Sequence, residues 1–230
     1  MDIYCCSFAS ESFLNQQKIQ KKFFLEAEFD PENIFAYNPN KLKKEYFDNQ
    51  PNANEKNKYG WYSFKPYFIS SILDKLNYGD LLLYLDVNDK PIKGIKKYIL
   101  DTFIKNKNID LIVPSTNYPN IRFLSIFHRH NLSKELILSS LINFQPEAGA
   151  LVIRNTPQSR SIMRTWYHLT LTQAFELDKH KDIKSRHDQE TLFLLSRLYK
   201  SIKVESWFFY KLLGLGLRKF VQFESLKINK

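Results

Sequence analysis

The chain is 230 residues long, 43% apolar and 25% charged, which suits one α/β domain with a helical tail and excludes a disordered chain. Its 34 Lys and Arg against 24 Asp and Glu leave a net charge of +10, a surplus that draws phosphates, nucleic acid or an acidic leaflet without choosing among them. The cysteines, Cys5 and Cys6, are adjacent; neighbours in a strand point to opposite faces, so reduced thiols in the cytoplasm are expected rather than a disulfide framework. Met1-Asp2 opens without the pattern of a secretory signal, and no apolar run approaches the ~20 residues of a membrane span.

In chain order, Ile3 to Phe8 predicts a strand and Ser10 to Glu28 a helix with Phe13, Leu14, Ile19, Phe23 and Phe24 as its apolar set. Ile34 to Tyr37 predicts a second strand, closed by the turn residues Asn38-Pro39-Asn40. Residues 41 to 60 are polar and Asn/Lys-rich, a loop with one helical turn at most. Pro66 is placed to start a helix whose apolar face is Tyr67, Ile69, Ile72, Leu73 and Leu76. Leu81 to Leu85 is apolar throughout, which predicts a strand buried on both faces. A helix over Ile92 to Phe103 and a buried strand over Asp110 to Pro114 follow. This β-α-β-α-β-α-β order predicts a doubly wound, mainly parallel sheet. Leu132 to Leu141 reads as a helix, Ala148 to Arg154 as a strand, and Pro157 to Asp178 and Asp188 to Tyr199 as helices. No repeat or linker divides the chain.

Four clusters carry oxygen, charge or aromatic character where chemistry could use it. The first is Asp86-Val87-Asn88-Asp89, directly after the buried strand. Ligands of open α/β sheets bind beyond strand carboxyl ends, and such oxygens suit a hard cation beside a diphosphate; a strand-capping Asx turn accounts for the same residues. The second is Tyr59-Gly60-Trp61-Tyr62-Ser63-Phe64-Lys65-Pro66, where Lys65 stands at a helix start suited to a phosphate and an aromatic can stack on a base or sugar. Aromatic packing at a helix entry explains it equally well. The third is Arg186-His187-Asp188-Gln189-Glu190, either a capped helix start or a sugar-facing pair, Asp188 and Gln189. The fourth is Gln145-Pro146-Glu147-Ala148-Gly149-Ala150, an ordinary turn or a close approach at which Glu147 orients an acceptor hydroxyl or takes its proton. The five histidines show no metal-binding spacing, and neither G-x-G-x-x-G nor a P-loop occurs.

Taken in order, these segments resemble bacterial glycosyltransferases of cell-surface polysaccharide (lipopolysaccharide or capsule) synthesis. The aromatic-Lys65-Pro66 helix start, Gly79-Asp80, and the strand ending in Tyr84 and Asp86 are similar to that family's donor half. Gln145 to Arg154, the helix from Ser161 to Trp166, and His187-Asp188-Gln189 are similar to its later motifs. The resemblance implies a GT-A-like fold, with residues 1–115 holding a nucleotide-sugar and 116–204 shaping the site of a glycan or lipid-linked acceptor. It implies donor contacts at Phe8, Trp61, Lys65, Asp86 and Asn88, catalytic roles for Glu147, Asp188 and Gln189, and Mn²⁺ or Mg²⁺ on Asp86, Asn88 and Asp89. The family's Asp-x-Asp has Asn88 at its third position here, with Asp89 one step on.

Residues 205–230 read as a basic, aromatic tail. Trp207, Phe208, Phe209, Leu217 and Phe220 beside Lys211, Arg218 and Lys219 suit an interfacial helix on the inner membrane, or a last helix packed on the domain. A basic nucleic-acid-binding module is the competing class, yet the basic residues are spread along the chain rather than gathered in one stripe, and no nucleic-acid partner is expected. A nucleotidyltransferase on a similar sheet is the other alternative, and it lacks a Gly-rich phosphate loop.

Overall fold

The computed structural model describes residues 1–50, 53, 54, 56, 58–119, 133, 135, 138, 144–179, 187–206 and 217–222. The helix expected over 132–141 and most of the 205–230 tail lie outside the described residues.

The sheet is built around β3 (Leu81–Leu85), whose five residues are all buried. On one side β1 (Ile3–Phe8) pairs with it in parallel, Ile3 against Leu81 and Cys6 against Tyr84, and β2 (Ile34–Tyr37) lies parallel beyond. The chain also forms β4 (Lys90–Pro91), β5 (Leu111–Pro119), β6 (Phe144–Pro146), β7 (Ala150–Arg154) and β8 (Ile202–Glu205). The order is β2-β1-β3-β7-β5-β6, with β8 on β5. Because β7 pairs antiparallel with both β3 and β5, and β6 antiparallel with β5, five strands of the sheet run one way and two the other. The class is the expected α/β, mainly parallel sheet with helices on both faces.

One face is covered by α1 (Leu14–Glu26) and α5 (Ile95–Lys105); Phe24, Ile95, Ile99 and Phe103 pack there on Cys5, Leu81, Leu83 and Leu85. The other face carries α4 (Phe64–Leu73), α6 (Pro157–Lys179) and α7 (His187–Leu198). There Phe68, Ile69, Ile72, Trp166, Leu192 and Leu195 pack on Cys6, Leu82, Tyr84 and Val113. Cys5 and Cys6 therefore enter opposite layers as free thiols, and burial pushes both thiols well above the ordinary cysteine range.

Several expectations are corrected. The 41–60 stretch holds α2 (Lys44–Asn49) and the short α3 (Lys58–Trp61). Tyr46 of α2 is fully buried, and its hydroxyl meets Ser63 Oγ at 2.8 Å. α4 begins two residues before Pro66, so the proline sits in the first turn, where its missing N–H leaves no bond unmade. On α1, Phe13 just before it and Leu14 are exposed, whereas Gln17, Gln20 and Phe24 are buried. The glutamines reach strand-end carbonyls that no apolar side chain could satisfy.

The strand β8 was not expected. The described part of the tail packs on the domain: Leu217 is fully buried, Phe220 stacks on Tyr98 at 4.9 Å, and β9 (Val221–Gln222) pairs with β4. Leu217 and Phe220 thus follow the second of the two readings given for the tail, packing on the domain in the layer of α5. Among the described residues no helix is long and apolar enough to cross a membrane.

Candidate active site

From β1 the chain crosses to β2 on one side, then returns to β3 on the other. The loops leaving β1 and β3 therefore diverge, and a crevice opens at their carboxyl ends, the switch point where open α/β sheets hold ligands. A cavity of about 410 Å³ lies there. Phe8, Ser10 and Phe13 line it from the β1 side, Tyr59, Tyr62 and Lys65 from the α3–α4 side, and Tyr84, Asp86 and Asn88 from β3.

Lys65 is the centre of its electrostatics. The side chain is 3% exposed, and its Nζ lies 2.8 Å from Asp188 Oδ2 and 3.2 Å from Asp86 Oδ1. It also donates to the Ala148 carbonyl at 3.2 Å. Burial works against the ammonium, but Asp188 and then Asp86 outweigh it and hold Lys65 above its ordinary value. The Asp188 side chain is 7% exposed and that of Asp86 42%, so Asp86 is the member open to the cavity. Tyr84 donates its hydroxyl to Asp86 Oδ1; burial, then Asp86, pushes the phenol well up, which keeps it a donor.

The turn after β3 is held from three directions. Asp89 N–H donates to Asp86 O at 2.8 Å, and Asp86 N–H donates to Gly149 O at 2.7 Å. From α1, Gln20 Nε2 donates to both Asp86 O and Asp89 O at 2.7 Å. Gly149 is needed for close approach: a Cβ there would fall 3.2 Å from Asp86 Oδ2 and 3.2 Å from Asp89 Oδ2. Tyr59 and Tyr62 wall the cavity with left-handed backbones, φ 50° and 72°, a conformation that L side chains adopt at a cost and that concentrates at functional sites.

The sequence-predicted residues divide clearly. Phe8, Lys65, Asp86 and Asn88 line the cavity, and Phe8 stacks on Phe64 at 4.1 Å. Asp188 joins them through Lys65. It stands second in α7, in the first turn of that helix. Gln189 is buried next to it and donates its N–H to Asp188 Oδ1 at 3.0 Å. Glu147 is half-buried, with its N–H on Pro114 O at 2.7 Å; it is the neighbouring Ala148 carbonyl that reaches Lys65. Trp61 ends α3, but its side chain is outside the described residues. Asp89 is buried facing Gly149 and does not line the cavity.

Sequence reasoning missed Gln20 as a site residue, and it named Tyr59, Tyr62 and Tyr84 within its motifs without giving any of them a contact of its own. Gln20 had a signal: Gln17, Gln20, Phe24 and Ala27 recur at helical spacing, so the amides share the stripe of the apolar residues.

No three His, Cys, Asp or Glu side chains gather as a metal site among the described residues. The donor set still fits a hard cation. Asn88 Oδ1 is a buried acceptor with no hydrogen-bond partner among the described residues, Asn88 lines the cavity that Asp86 opens onto, and Mg²⁺-like ions need only one or two such ligands beside water and phosphate oxygens.

No protein-family model matches the chain, and no curated protein does. Among solved structures it is similar to the galactosyltransferase LgtC in complex with donor and acceptor sugar analogs, at 14% identity over 89% of this chain and 73% of that one, TM-score 0.48. It is similar to a glycosyltransferase involved in glycosylation of the major capsid of PBCV-1, at 10% identity over 90% and 83%, TM-score 0.49. Mouse xyloside xylosyltransferase 1 gives 9% identity over 89% and 85%, TM-score 0.49.

Proposed function

We propose that the chain is a GT-A-type glycosyltransferase that moves a sugar from a nucleotide-diphosphate donor to a glycan or lipid-linked acceptor in surface-polysaccharide synthesis on the cytoplasmic side. The observation that carries this is the Lys65 ammonium held between Asp86 and Asp188 at the aromatic-walled switch-point cavity. The rings of Phe8, Tyr59 and Tyr62 supply stacking surface for a base or sugar, and Lys65 supplies fixed positive charge where a diphosphate departs. Asp188, with Gln189 and Glu147, borders the transferring sugar from the carboxyl-terminal half, residues 116–204, while residues 1–115 hold the nucleotide.

Asp86 and Asp188 against Lys65 leave the trio one negative charge over, by formal charge. A diphosphate entering there needs further positive charge. Mn²⁺ or Mg²⁺ on Asp86 and Asn88 would supply it, neutralising charge on the leaving group. The protein's own part is positioning: the Asp86–Asp89 turn is fixed by Gln20 and Gly149 before any ligand arrives.

The test is a thermal-shift and calorimetric panel of nucleoside diphosphates with and without Mn²⁺. Binding is expected, stronger with the ion, and EDTA should remove the difference. Asp86→Asn should weaken nucleotide-diphosphate binding by about 10- to 150-fold, the loss of one charged hydrogen-bonding group (about 1.5–3 kcal/mol). Unchanged affinity in that variant, or no nucleotide bound by the wild type, would sink the proposal.

A further inference from the structure

The outer face of α1 has a pattern the cavity does not use. Between Glu11 and Glu26 the chain holds Lys18, Lys21 and Lys22 and no acidic residue, and all three lysines are exposed. Leu14 and Leu25 are exposed too, by 36% and 42%. At 3.6 residues per turn, positions 14, 18, 21, 22 and 25 fall within about 100° of the helix circumference, centred about 120° round from the buried stripe of Gln17, Gln20 and Phe24. Single exposed leucines are ordinary; two on one stripe with three lysines have the composition of a helix lying in a headgroup layer. At the far end Glu28 faces Lys93 at 3.4 Å, and Glu26, four residues after Lys22 on the last turn of α1, leaves this face of the helix a net charge of +2.

Position gives the stripe a purpose. Phe13, the residue before α1, is 36% exposed and lines the cavity, so the stripe begins at the cavity's rim. We propose that α1 docks the protein onto an anionic lipid leaflet, with Leu14 and Leu25 entering the headgroup region and the three lysines meeting lipid phosphates. The cavity mouth then lies at the membrane surface. Docking of this kind does not depend on the transferase reading.

The experiment is co-sedimentation of the full chain with vesicles of phosphatidylcholine alone or mixed with phosphatidylglycerol, at low and high salt. Binding is expected only to the anionic vesicles and should weaken in salt. Each lysine near an anionic surface contributes about 1 kcal/mol, so Lys18→Gln, Lys21→Gln and Lys22→Gln together should lower partitioning by about a hundredfold. Leu14→Asn with Leu25→Asn should lower it as well. All five side chains are exposed, so unchanged circular dichroism and melting will show that the variants fold. Wild-type partitioning by the lysine variant, or equal binding to neutral vesicles, overturns the proposal. So does a leucine variant that binds undiminished, since a soluble polyanion such as nucleic acid would need the lysines alone.

Discussion

Lys65→Met is expected to cost about 3–5 kcal/mol of stability at neutral pH, the penalty for removing one partner of a buried ion pair. Asp188 is left almost without solvent and without its cation, and Asp86 loses the same neighbour. Denaturant titrations of variant and wild type across pH will measure it. In the wild type the window that matters is alkaline. The folded-state value of Lys65 is raised, so its contribution is fully present below the ordinary lysine value of 10.5 and is lost as pH climbs through the higher folded value. An unchanged denaturation midpoint for Lys65→Met at pH 7 would show that Asp86 and Asp188 do not need the ammonium. Nucleotide binding should fail in the same variant, because the two carboxylates facing the diphosphate lose the one charge that offsets them.

Gln20→Leu is expected to cost about 2–4 kcal/mol, since two hydrogen bonds vanish and the carbonyls of Asp86 and Asp89 are left buried beside an apolar side chain. The loss should extend to function: nucleotide affinity falls because the Asp86–Asp89 turn is no longer tied to α1. Gln17→Leu is the control. Gln17 Nε2 donates to Tyr37 O at 2.8 Å and to Ser7 O at 3.3 Å, so that variant loosens the ends of β1 and β2 but leaves the Asp86 turn held. If both variants lose affinity equally at equal stability loss, Gln20 has no positioning role beyond holding the fold.

Features carried by local pattern were legible in the sequence. The unbroken Leu81–Leu85 run could only be a strand covered on both sides, and this put Asp86 at a carboxyl end. Pro66 marked a helix start closely enough to place Lys65 there. What one-dimensional pattern cannot hold was missed. Alternation is blind to direction, so nothing in Ala150–Arg154 announces that β7 runs against its neighbours. Glutamine at a helix position reads as solvent-facing, yet Gln17 and Gln20 are buried because strand ends present carbonyls that need donors. Asp188 reads as a cap or as a sugar-facing residue, but its sequence neighbours say nothing of a lysine 123 positions away. The backbone turns at Tyr59 and Tyr62 belong to residues that seldom adopt them, and only their surroundings impose such angles.

That separation has a kinetic consequence. Joining Lys65 to Asp188 closes a loop of more than a hundred residues, and contacts so distant in sequence pay their closure entropy before they return anything. The β1–β3 pairing can form once the chain up to Leu85 is present, but the ion pair needs α4 and α7 both docked on the same face of the sheet. Binding competence should therefore be the last property to return on refolding, behind secondary structure. Stopped-flow refolding followed in parallel by circular dichroism and by a fluorescent nucleotide will show whether the two signals separate; recovery of both in one phase would mean that the sheet and the ion pair form together.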